Sequence, residues 1–353
     1  MTGPGRQTRA GVGPRPYRCV GREFLNLRWF LFAVCCFSLA GAALADSSLD
    51  GGQPAAYLKL GAGARALGMG SAQVAVADDA YALAYNPGGL AQVRDFEIGS
   101  QTAFLPDGRT LNYLSALRPL RLGANHQLYC YGLSWTNFGF SDPIEERVAN
   151  TPDPTGTFSD GENALQLGGA GWLLPDRMSM GFDLKLLQQN LGDATASGYG
   201  LDLGTLIRAM PGLDVGVMLQ DPYTVLSWST GETDRLPMDL KLGAAYRLGV
   251  RGAGALLVSA ELEKSLDQGI KDRLGLEWTP AAWSALRLGF DNGALTGGLG
   301  LRLGPFSDWS GQLDYGVSTD PTAQNQIGGE MQQRLSLTLF YRIFRPGGPA
   351  DDF

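Results

Sequence analysis

The sequence predicts an all-β fold, an antiparallel transmembrane β-barrel of about 14 strands. Three observations support this fold class. Apolar and polar residues alternate with a period of two after residue 94, several alternating segments run to about ten residues, and long polar connections alternate with short ones. A tilted strand needs about ten residues to cross the hydrocarbon layer, more than the usual strand of a soluble protein. With 44% apolar residues and no collagen-like period, the chain is not disordered.

The start of the chain has the pattern of an export signal. Arg22 and Arg28 precede an apolar run at residues 29–44, which is too short for a membrane-spanning helix. Residues 43–45 read Ala-Leu-Ala, a pattern of small residues at which signal peptidase cleaves. We therefore expect residues 1–45 to be a signal peptide that is absent from the mature protein.

Strict alternation is clearest in residues 178–186. Met, Met, Phe, Leu and Leu occupy the even positions, while Ser179, Gly181, Asp183 and Lys185 occupy the odd ones. Because successive side chains of a strand point to opposite faces, one face of this segment is apolar and the other is polar. Fourteen such segments are predicted to begin near Phe96, Leu111, Leu128, Ala164, Met178, Gly198, Leu213, Met238, Ala255, Ile270, Ser284, Leu295, Asp308 and Gln332.

The connections between the strands give a second, independent signal. Residues 140–163, 188–198, 220–237 and 318–330 form mostly long polar stretches, and short connections such as LPDR and MPG lie between them. Outer-membrane barrels have long extracellular loops and short periplasmic turns, so the pattern predicts which strand ends face outward. A secreted β-sandwich is the alternative fold, but aromatic residues cluster near the strand ends, as in the girdles of membrane barrels.

Catalytic and metal chemistry have little support in the sequence. His126 is the single histidine, and the chain lacks both the Gly-x-Ser-x-Gly elbow and the His-Glu-x-x-His zinc motif. Acidic residues at 141–163 could gather a calcium ion, but they lack the order of an EF-hand, and a solvated loop is expected. We therefore predict no enzymatic activity, no cofactor and no metal site.

Residues 59–72, KLGAGARALGMGSA, contain the Gly-x-Gly-x-x-Ala pattern of a dinucleotide-binding turn. Such a turn leads into a helix whose N-terminus holds the pyrophosphate. Here Gly68 and Gly70 interrupt the segment at once, and no βαβ repeat follows, so nucleotide binding is excluded. The net charge of -7 likewise argues against a nucleic-acid partner. The glycines instead predict a backbone that passes through a crowded space.

The segment around these glycines carries a family resemblance. Residues 57–93, YLKLGAGARALGMGSAQVAVADDAYALAYNPGGLAQV, resemble the N-terminal signature of PorV/PorQ-family outer-membrane proteins, relatives of the FadL-type fatty-acid channels. Gly88 stands where family members usually have alanine. The matching positions are Gly61, Arg65, Gly68, Met69, Gly70, Ala77, Asp78, Asp79, Ala80, Asn86, Pro87, Gly89, Leu90 and Ala91.

The resemblance implies that the N-terminal segment folds into the lumen of the barrel as a hatch. It divides the chain into a hatch at residues 46–93, a barrel at 94–345 and a tail at 346–353. The hatch motif, with a structural or gating role, comprises Gly61, Arg65, Gly68, Met69, Gly70, Asp78, Asp79, Asn86 and Pro87. A structural role, holding the hatch in place, is favoured over ligand binding.

The residues of the hatch support this interpretation independently. Asp78 and Asp79 precede a short apolar run at residues 80–85, which predicts one or two helical turns that end before Pro87. We expect Arg65 to pair with one of these two aspartates or with an inward-facing strand carboxylate, for which the candidates are Asp183, Asp202 and Asp239.

Alternation also predicts a set of charged residues that face the lumen. These side chains could line a conduit, but mutual pairing is favoured, because an unpaired charge in a narrow lumen is costly to desolvate. The predicted lumen charges are Asp183, Lys185, Asp202, Asp239, Lys241, Arg273, Glu277 and Arg302.

Two functions are compatible with the resemblance, both in the outer membrane of a Gram-negative cell. FadL-type channels imply passage of hydrophobic or small solutes, and PorV/PorQ proteins imply an accessory role in type IX-like protein secretion. The expected partners are outer-membrane lipid and either hydrophobic small molecules or secretion-machinery proteins. A bulged strand with a lateral opening would favour transport, and the glycine-rich residues 167–172 are the predicted location.

Overall fold

The computed structural model describes residues 54–122, 127–140, 144–146, 153–250, 252–266, 269–319 and 331–343. The predicted signal peptide, the C-terminal tail and His126 lie outside these residues, and so do residues 46–53 of the predicted hatch.

Fourteen long antiparallel strands of the described residues form a closed barrel. Each strand pairs with its neighbours in the chain, and the last strand pairs with the first along nine residue pairs from Phe96–Tyr341 to Phe104–Gln333. The strands are β1 (Phe96–Phe104), β2 (Arg109–Leu122), β3 (Gln127–Phe140), β4 (Asp160–Leu174), β5 (Met178–Leu191), β6 (Ala194–Met210), β7 (Leu213–Trp228), β8 (Asp239–Val250), β9 (Gly254–Ser265), β10 (Ile270–Ala281), β11 (Ser284–Asp291), β12 (Ala294–Phe306), β13 (Trp309–Ser318) and β14 (Gln332–Tyr341).

The strand starts agree closely with those expected from alternation. The largest differences are at β4, which begins at Asp160 rather than Ala164, and at β6, which begins at Ala194 rather than Gly198. Three short strands lie at the loop end: Ile144–Glu146 and Gly156–Phe158 form a separate two-stranded sheet, and Thr233–Arg235 pairs with the end of β7.

Alternation along each strand separates a lipid-facing surface from a polar lumen. On β5, Phe182 and Leu184 are 48% and 49% exposed, whereas Asp183 and Lys185 are 0% and 1% exposed. The apolar side chains therefore form the outer surface of the barrel, and the charged side chains point inward. This distribution of side chains is the inverse of that in a soluble protein, and it is the one expected for a barrel surrounded by hydrocarbon.

Two of the predicted outer loops are shorter than expected. Residues 188–198 contain only the two-residue turn between Leu191 and Ala194, and residues 220–237 begin with strand, because β7 continues to Trp228. Polar side chains made these residues look like loops, but their backbones pair in the sheet. Strand pairing does not require an apolar face when both faces of the strand meet water or polar groups.

The glycine-rich residues 167–172 do not open the wall: the ladder is regular up to Trp172, and a register shift with β5 follows between Trp172 and Leu174. Gly168 pairs with Gly132 on one side and with Asp183 on the other, in a continuous ladder. The small residue is needed for packing instead: a side chain at Gly168 would collide with Leu83, which comes from the segment inside the barrel.

The main irregularity of the wall lies between β6 and β7. Leu203 pairs with Leu219, but Leu201 pairs with Tyr223, so one residue of β6 lies opposite residues 220–222. We call residues 220–222 the β7 bulge. Three residues of β7 thus stand opposite one residue of β6, two more than regular pairing needs. As a result, two successive side chains of the bulge point inward, and the ladder is interrupted.

Residues 54–93, which we call the plug, fold inside the barrel. They form a five-residue α-helix, α1 (Ala64–Gly68), and 3-10 helices at Ala56–Leu60, Ala82–Ala84 and Pro87–Gln92. Most plug residues are buried, and Ala80, Leu83 and Leu90 pack with Tyr113 and Leu117 of β2. None of the helices in the described part of the chain is long and apolar enough to cross a bilayer.

The predicted helix at residues 80–85 is reduced to the single 3-10 turn Ala82–Ala84. Asp79 fixes the backbone just before the turn, since its Oδ1 accepts a hydrogen bond of 3.0 Å from the backbone N–H of Tyr81. Pro87 begins the next 3-10 helix as well as ending this one, and the side chain of Asn86 caps it by accepting from the N–H of Gly88.

Gly70 is one of the points where the plug lies closest to the wall. Its φ of +59° lies in the left-handed region, and a Cβ at this position would press on the carbonyl oxygens of Phe290 and Leu274. Gly70 therefore lets the plug backbone lie directly against the strands.

We predict that Gly70→Ala lowers the free energy of unfolding by at least about 1 kcal/mol more than Gly108→Ala. Gly108 is a matched control, because it has a φ of +68° but a Cβ added there would have no atom within 4 Å. Urea unfolding followed by tryptophan fluorescence measures both variants. Equal losses would show that close packing at Gly70 is unimportant.

Candidate functional site

Arg65 lies at the centre of the contacts between the plug and the wall. Its Nη1 donates to Oδ1 of Asp78 at 2.7 Å and to Oδ2 of Asp79 at 3.1 Å. Its Nε and Nη2 donate to the two carboxylate oxygens of Glu277 on β10, at 2.9 and 3.0 Å. The predicted pairing of Arg65 with the two aspartates is present, and Glu277 rather than Asp183, Asp202 or Asp239 is the strand partner.

Burial and charge act in opposite directions on these groups. Burial lowers the pKa of Arg65, but the carboxylates of Glu277, Asp78 and Asp79 raise it by more, so its guanidinium remains charged. Burial raises the pKa of Asp79 above its ordinary value, although Arg65 lowers it. The plug therefore holds a permanent cation, and its charge offsets the cost of burying the carboxylates beside it.

The same ion pairs continue into the wall on both sides. Oδ2 of Asp78 accepts from Nη2 of Arg247 on β8 at 3.0 Å, and Arg247 also pairs with Asp214 on β7. On the other side Arg287 of β11 bridges Glu277 and Asp314, each at 2.7 Å. We call this set the plug latch: Arg65, Asp78 and Asp79 of the plug with Asp214, Arg247, Glu277, Arg287 and Asp314 of the wall.

The wall also supplies hydrogen-bond acceptors to the plug backbone. Oε2 of Glu261 accepts from the N–H groups of Gln73 and Val74, both at 2.9 Å. Oγ1 of Thr296 accepts from the N–H of Gly70 at 3.0 Å. Alternation along β9 and β12 is the sequence signal that could have identified Glu261 and Thr296 as inward-facing. A segment with little regular structure can lie in the lumen because strand side chains satisfy its buried N–H groups.

Asn86 joins two parts of the plug to the wall. Its Nδ2 donates to the carbonyl oxygens of Val74 at 2.7 Å and Thr205 at 3.0 Å. The next residues lie so close to β6 that a Cβ at Gly88 would stand 2.8 Å from the carbonyl oxygen of Gly204. This close contact leaves no room for a side chain at Gly88.

The other motif residues are packing positions. Gly61 lies against the ring of Tyr85, whose hydroxyl accepts a hydrogen bond of 3.0 Å from the N–H of Ala62. Gly68 contacts the backbone of Gly298 on β12, and Met69 is fully buried. The structure thus brings the whole motif into the plug interface.

Lys185 forms a separate charge cluster on the inner side of the β7 bulge. Its Nζ lies 2.7 Å from Oδ1 of Asp202 and 2.5 Å from Oδ1 of Asp221, and all three side chains are buried. We call these three residues the bulge triad. Asp183, next to Asp202 in the ladder, accepts instead from Gln166 at 2.6 Å. Asp221 was not predicted, because the bulge breaks the alternation around it.

The remaining predicted lumen charges are also paired, except one. Lys59 of the plug contacts Asp239 at 3.0 Å, and Lys241 contacts Glu263 at 3.0 Å. Arg273 binds Glu263 at 2.8 Å and also Glu261 and Asp291. Arg302 stands apart near the short-turn end of the barrel, with its guanidinium 4.8 Å from the ring centre of Phe340. Mutual pairing is therefore the rule among the predicted lumen charges.

A closed barrel with an apolar outside, a charged inside and a plug defines a transmembrane protein of the outer-membrane type. No family model matches the chain, and no curated protein matches it in sequence.

The fold is similar to three solved structures that are described as transporters or channels. The toluene transporter TodX of Pseudomonas putida shares 12% identity at a TM-score of 0.54, over 81% of this chain and 99% of TodX. The toluene transporter TbuX of Ralstonia pickettii shares 14% identity at a TM-score of 0.51, over 80% of this chain and 98% of TbuX. The monoaromatic hydrocarbon channel CymD shares 12% identity at a TM-score of 0.51, over 81% of this chain and 98% of CymD. The likeness shows a common fold and, with the apolar outer surface, places the protein in an outer membrane.

We predict that Arg65→Met lowers the free energy of unfolding by about 3 kcal/mol, because it leaves three carboxylates in the latch without their central cation. Arg208→Met is the control. It removes one ion pair with Asp176, which is 76% exposed, and one contact with the ring of Trp172 at 4.3 Å, so we expect it to cost about 1–2 kcal/mol. Urea titration of both proteins in detergent gives the comparison. A loss in Arg65→Met no larger than in the control would contradict a central role for Arg65.

Proposed function

We propose that the protein conducts hydrophobic or small solutes across the outer membrane and that the described conformation is its closed state. The observation that carries this proposal is the β7 bulge, which interrupts the wall beside the plug. The known roles of similar folds support it, since TodX and TbuX are toluene transporters and CymD is a monoaromatic hydrocarbon channel. We therefore take monoaromatic hydrocarbons as the first solutes to test.

The β7 bulge is a site where the wall can open at low cost. Asp221 has a φ of +54°, and Pro222 has no N–H to donate to the neighbouring strand. On the outer surface Tyr199 and Tyr223 are both more than half exposed, with ring centres 6.1 Å apart. An aromatic surface thus faces the lipid at the point where the ladder is weakest.

The inner side of the bulge is closed in this conformation. A cavity of about 20 Å³, roughly room for one water molecule, separates the wall from the plug. Tyr57 of the plug and Lys185, Asp202 and Gln220 of the wall are among the residues that line it. Passage therefore requires that the start of the plug withdraw from the bulge or that the bulge triad rearrange.

Polar contacts make a movement of the plug feasible without unfolding the barrel. Water can replace the partners of the plug latch when the plug shifts, whereas the paired strands of the wall need no change. The proposed conduction thus depends on a plug that is fixed strongly enough to seal the lumen and weakly enough to move.

The second candidate function is an accessory role in protein secretion, of the PorV/PorQ type. The observation that favours it is the resemblance of residues 57–93, together with a plug that fills the lumen and is held by many ion pairs. A barrel that presents secreted proteins at the cell surface needs no conduit. Such a protein would retain secreted proteins or machinery components during purification from solubilised membranes, with no change in solute uptake.

The proposed conduction predicts that a disulfide between plug and wall blocks solute uptake reversibly. A Cβ at Gly243 of β8 would lie 3.3 Å from the Cβ of Val74, close to the separation of about 3.8 Å in disulfides. Cells that produce Val74→Cys/Gly243→Cys should take up labelled toluene slowly when oxidised and at the wild-type rate after reduction.

The two single cysteine variants are the controls, and the buried Cys130 is common to all of these proteins. Unchanged uptake in the oxidised double variant would contradict movement of the plug. If wild-type protein gives no uptake above that of cells without it, conduction itself is wrong, and capture of secreted proteins would then support the secretion role.

A deletion in the wall tests the lateral route separately. Removing Asp221 and Pro222 deletes the two extra residues of the β7 bulge and lets β6 and β7 pair continuously without reversing the faces of the strand. We predict that toluene uptake falls while the barrel still folds, as judged by its heat-dependent migration in gel electrophoresis. Uptake at the wild-type rate would rule out the β7 bulge as the route and leave the plug route intact.

A further inference from the structure

A second cavity, of about 470 Å³, lies at the short-turn end of the barrel. Its volume falls in the range of small-molecule sites in proteins. The residues that line it and carry the argument are Asp95, Trp283, Arg302, Trp309, Phe340 and Arg342.

Two guanidinium groups face this cavity without carboxylate partners at hydrogen-bond distance. Arg302 lies over the ring of Phe340, and Nε of Arg342 is buried with no hydrogen-bond partner. Within the described ranges, neither side chain forms an ion pair, whereas Arg247, Arg273 and Arg287 do. Arg334 of β14 also forms none there, but it donates to the carbonyl oxygen of Leu60 in the plug. A buried donor without a partner is costly, so Nε of Arg342 favours a hydrogen-bond acceptor in the cavity. The carboxylate of Asp95 interacts with both guanidinium groups but does not reach hydrogen-bond distance, which leaves their donors available to an anion.

The cavity lies at the rim of the wall rather than deep in the lumen. Arg302 and Phe340 belong to the inward-facing rows of β12 and β14, but Trp283 and Trp309 are 62% and 43% exposed. The β12–β13 ladder is also irregular here, between Leu303 and Phe306. The cavity therefore contacts both the lumen and the level at which the outer surface meets the lipid headgroups.

We propose that this cavity binds the headgroup of a membrane phospholipid, with the phosphate held between Arg302 and Arg342. Guanidinium groups bind phosphate through two parallel hydrogen bonds, and tryptophan side chains favour the interface between acyl chains and headgroups. An ethanolamine headgroup fits in addition, because its ammonium group can turn toward the carboxylate of Asp95. Short turns mark the periplasmic end, so the lipid would come from the inner leaflet.

Native mass spectrometry of the full barrel in detergent tests the site. Phosphatidylethanolamine, diacylglycerol, inorganic phosphate and laurate are each added in turn to wild type, Arg302→Gln, Arg342→Gln and Arg208→Gln. Arg208 is a matched control, because it also lies over an aromatic ring at the short-turn end, 4.3 Å from Trp172, but does not line the cavity.

The expected result is one tightly bound phosphatidylethanolamine on wild type and on Arg208→Gln. Each of the other two substitutions should weaken binding about tenfold, because each removes a charge-assisted hydrogen bond. If these variants fail to fold, Arg302→Lys and Arg342→Lys replace them, since lysine keeps the charge but not the paired donors. A lower affinity of the lysine variants supports the proposal, and wild-type affinity contradicts it.

Four outcomes would overturn the site as proposed. Equal binding of phosphatidylethanolamine by the glutamine variants would exclude the two arginines, and equal binding of diacylglycerol would exclude the phosphate. Displacement of the lipid by inorganic phosphate would identify a free anion as the ligand. Displacement by an equal concentration of laurate would identify a site for carboxylated amphiphiles instead.

Discussion

Hydrocarbon offers no hydrogen-bond partner to a backbone N–H or C=O group, and the rest of the structure depends on this constraint. Every barrel strand is paired on both sides, and β14 closes the sheet on β1, so no edge faces lipid. A closed sheet of 14 strands encloses more space than its own side chains fill. The plug occupies that space. Its buried N–H groups also need hydrogen-bond partners, and Glu261 and Thr296 of the wall accept hydrogen bonds from them.

The sequence allowed the wall to be predicted well, because one physical rule acts at every position. Lipid on one face and a polar lumen on the other impose alternation, which marked all 14 strands and the inward orientation of Asp183 and Lys185. The contact of Arg65 with Asp78 and Asp79 was also predictable, since opposite charges close together in a short buried segment have few other partners.

What alternation cannot supply is the register between distant segments. Glu277 was predicted to face the lumen, but its pairing with Arg65 depends on where the plug crosses β10, which no local pattern encodes. The β7 bulge was missed because extra residues erase the period of two, so residues 220–237 were taken for a loop. Among the glycines at 167–172, the small size of Gly168 serves the packing of Leu83, and the register shift lies at the end of the segment, between Trp172 and Leu174.

Two of the charge clusters in the described lumen differ in what they join, and their separation has a structural consequence. The plug latch joins the plug to β7, β8, β10, β11 and β13, whereas the bulge triad joins β5, β6 and β7 to one another. The two sets share no residue, so their contributions should be nearly additive. Buried ion pairs fix geometry more than they add net stability. The latch thus positions the plug, the triad shapes the wall, and a substitution in one should leave the other intact.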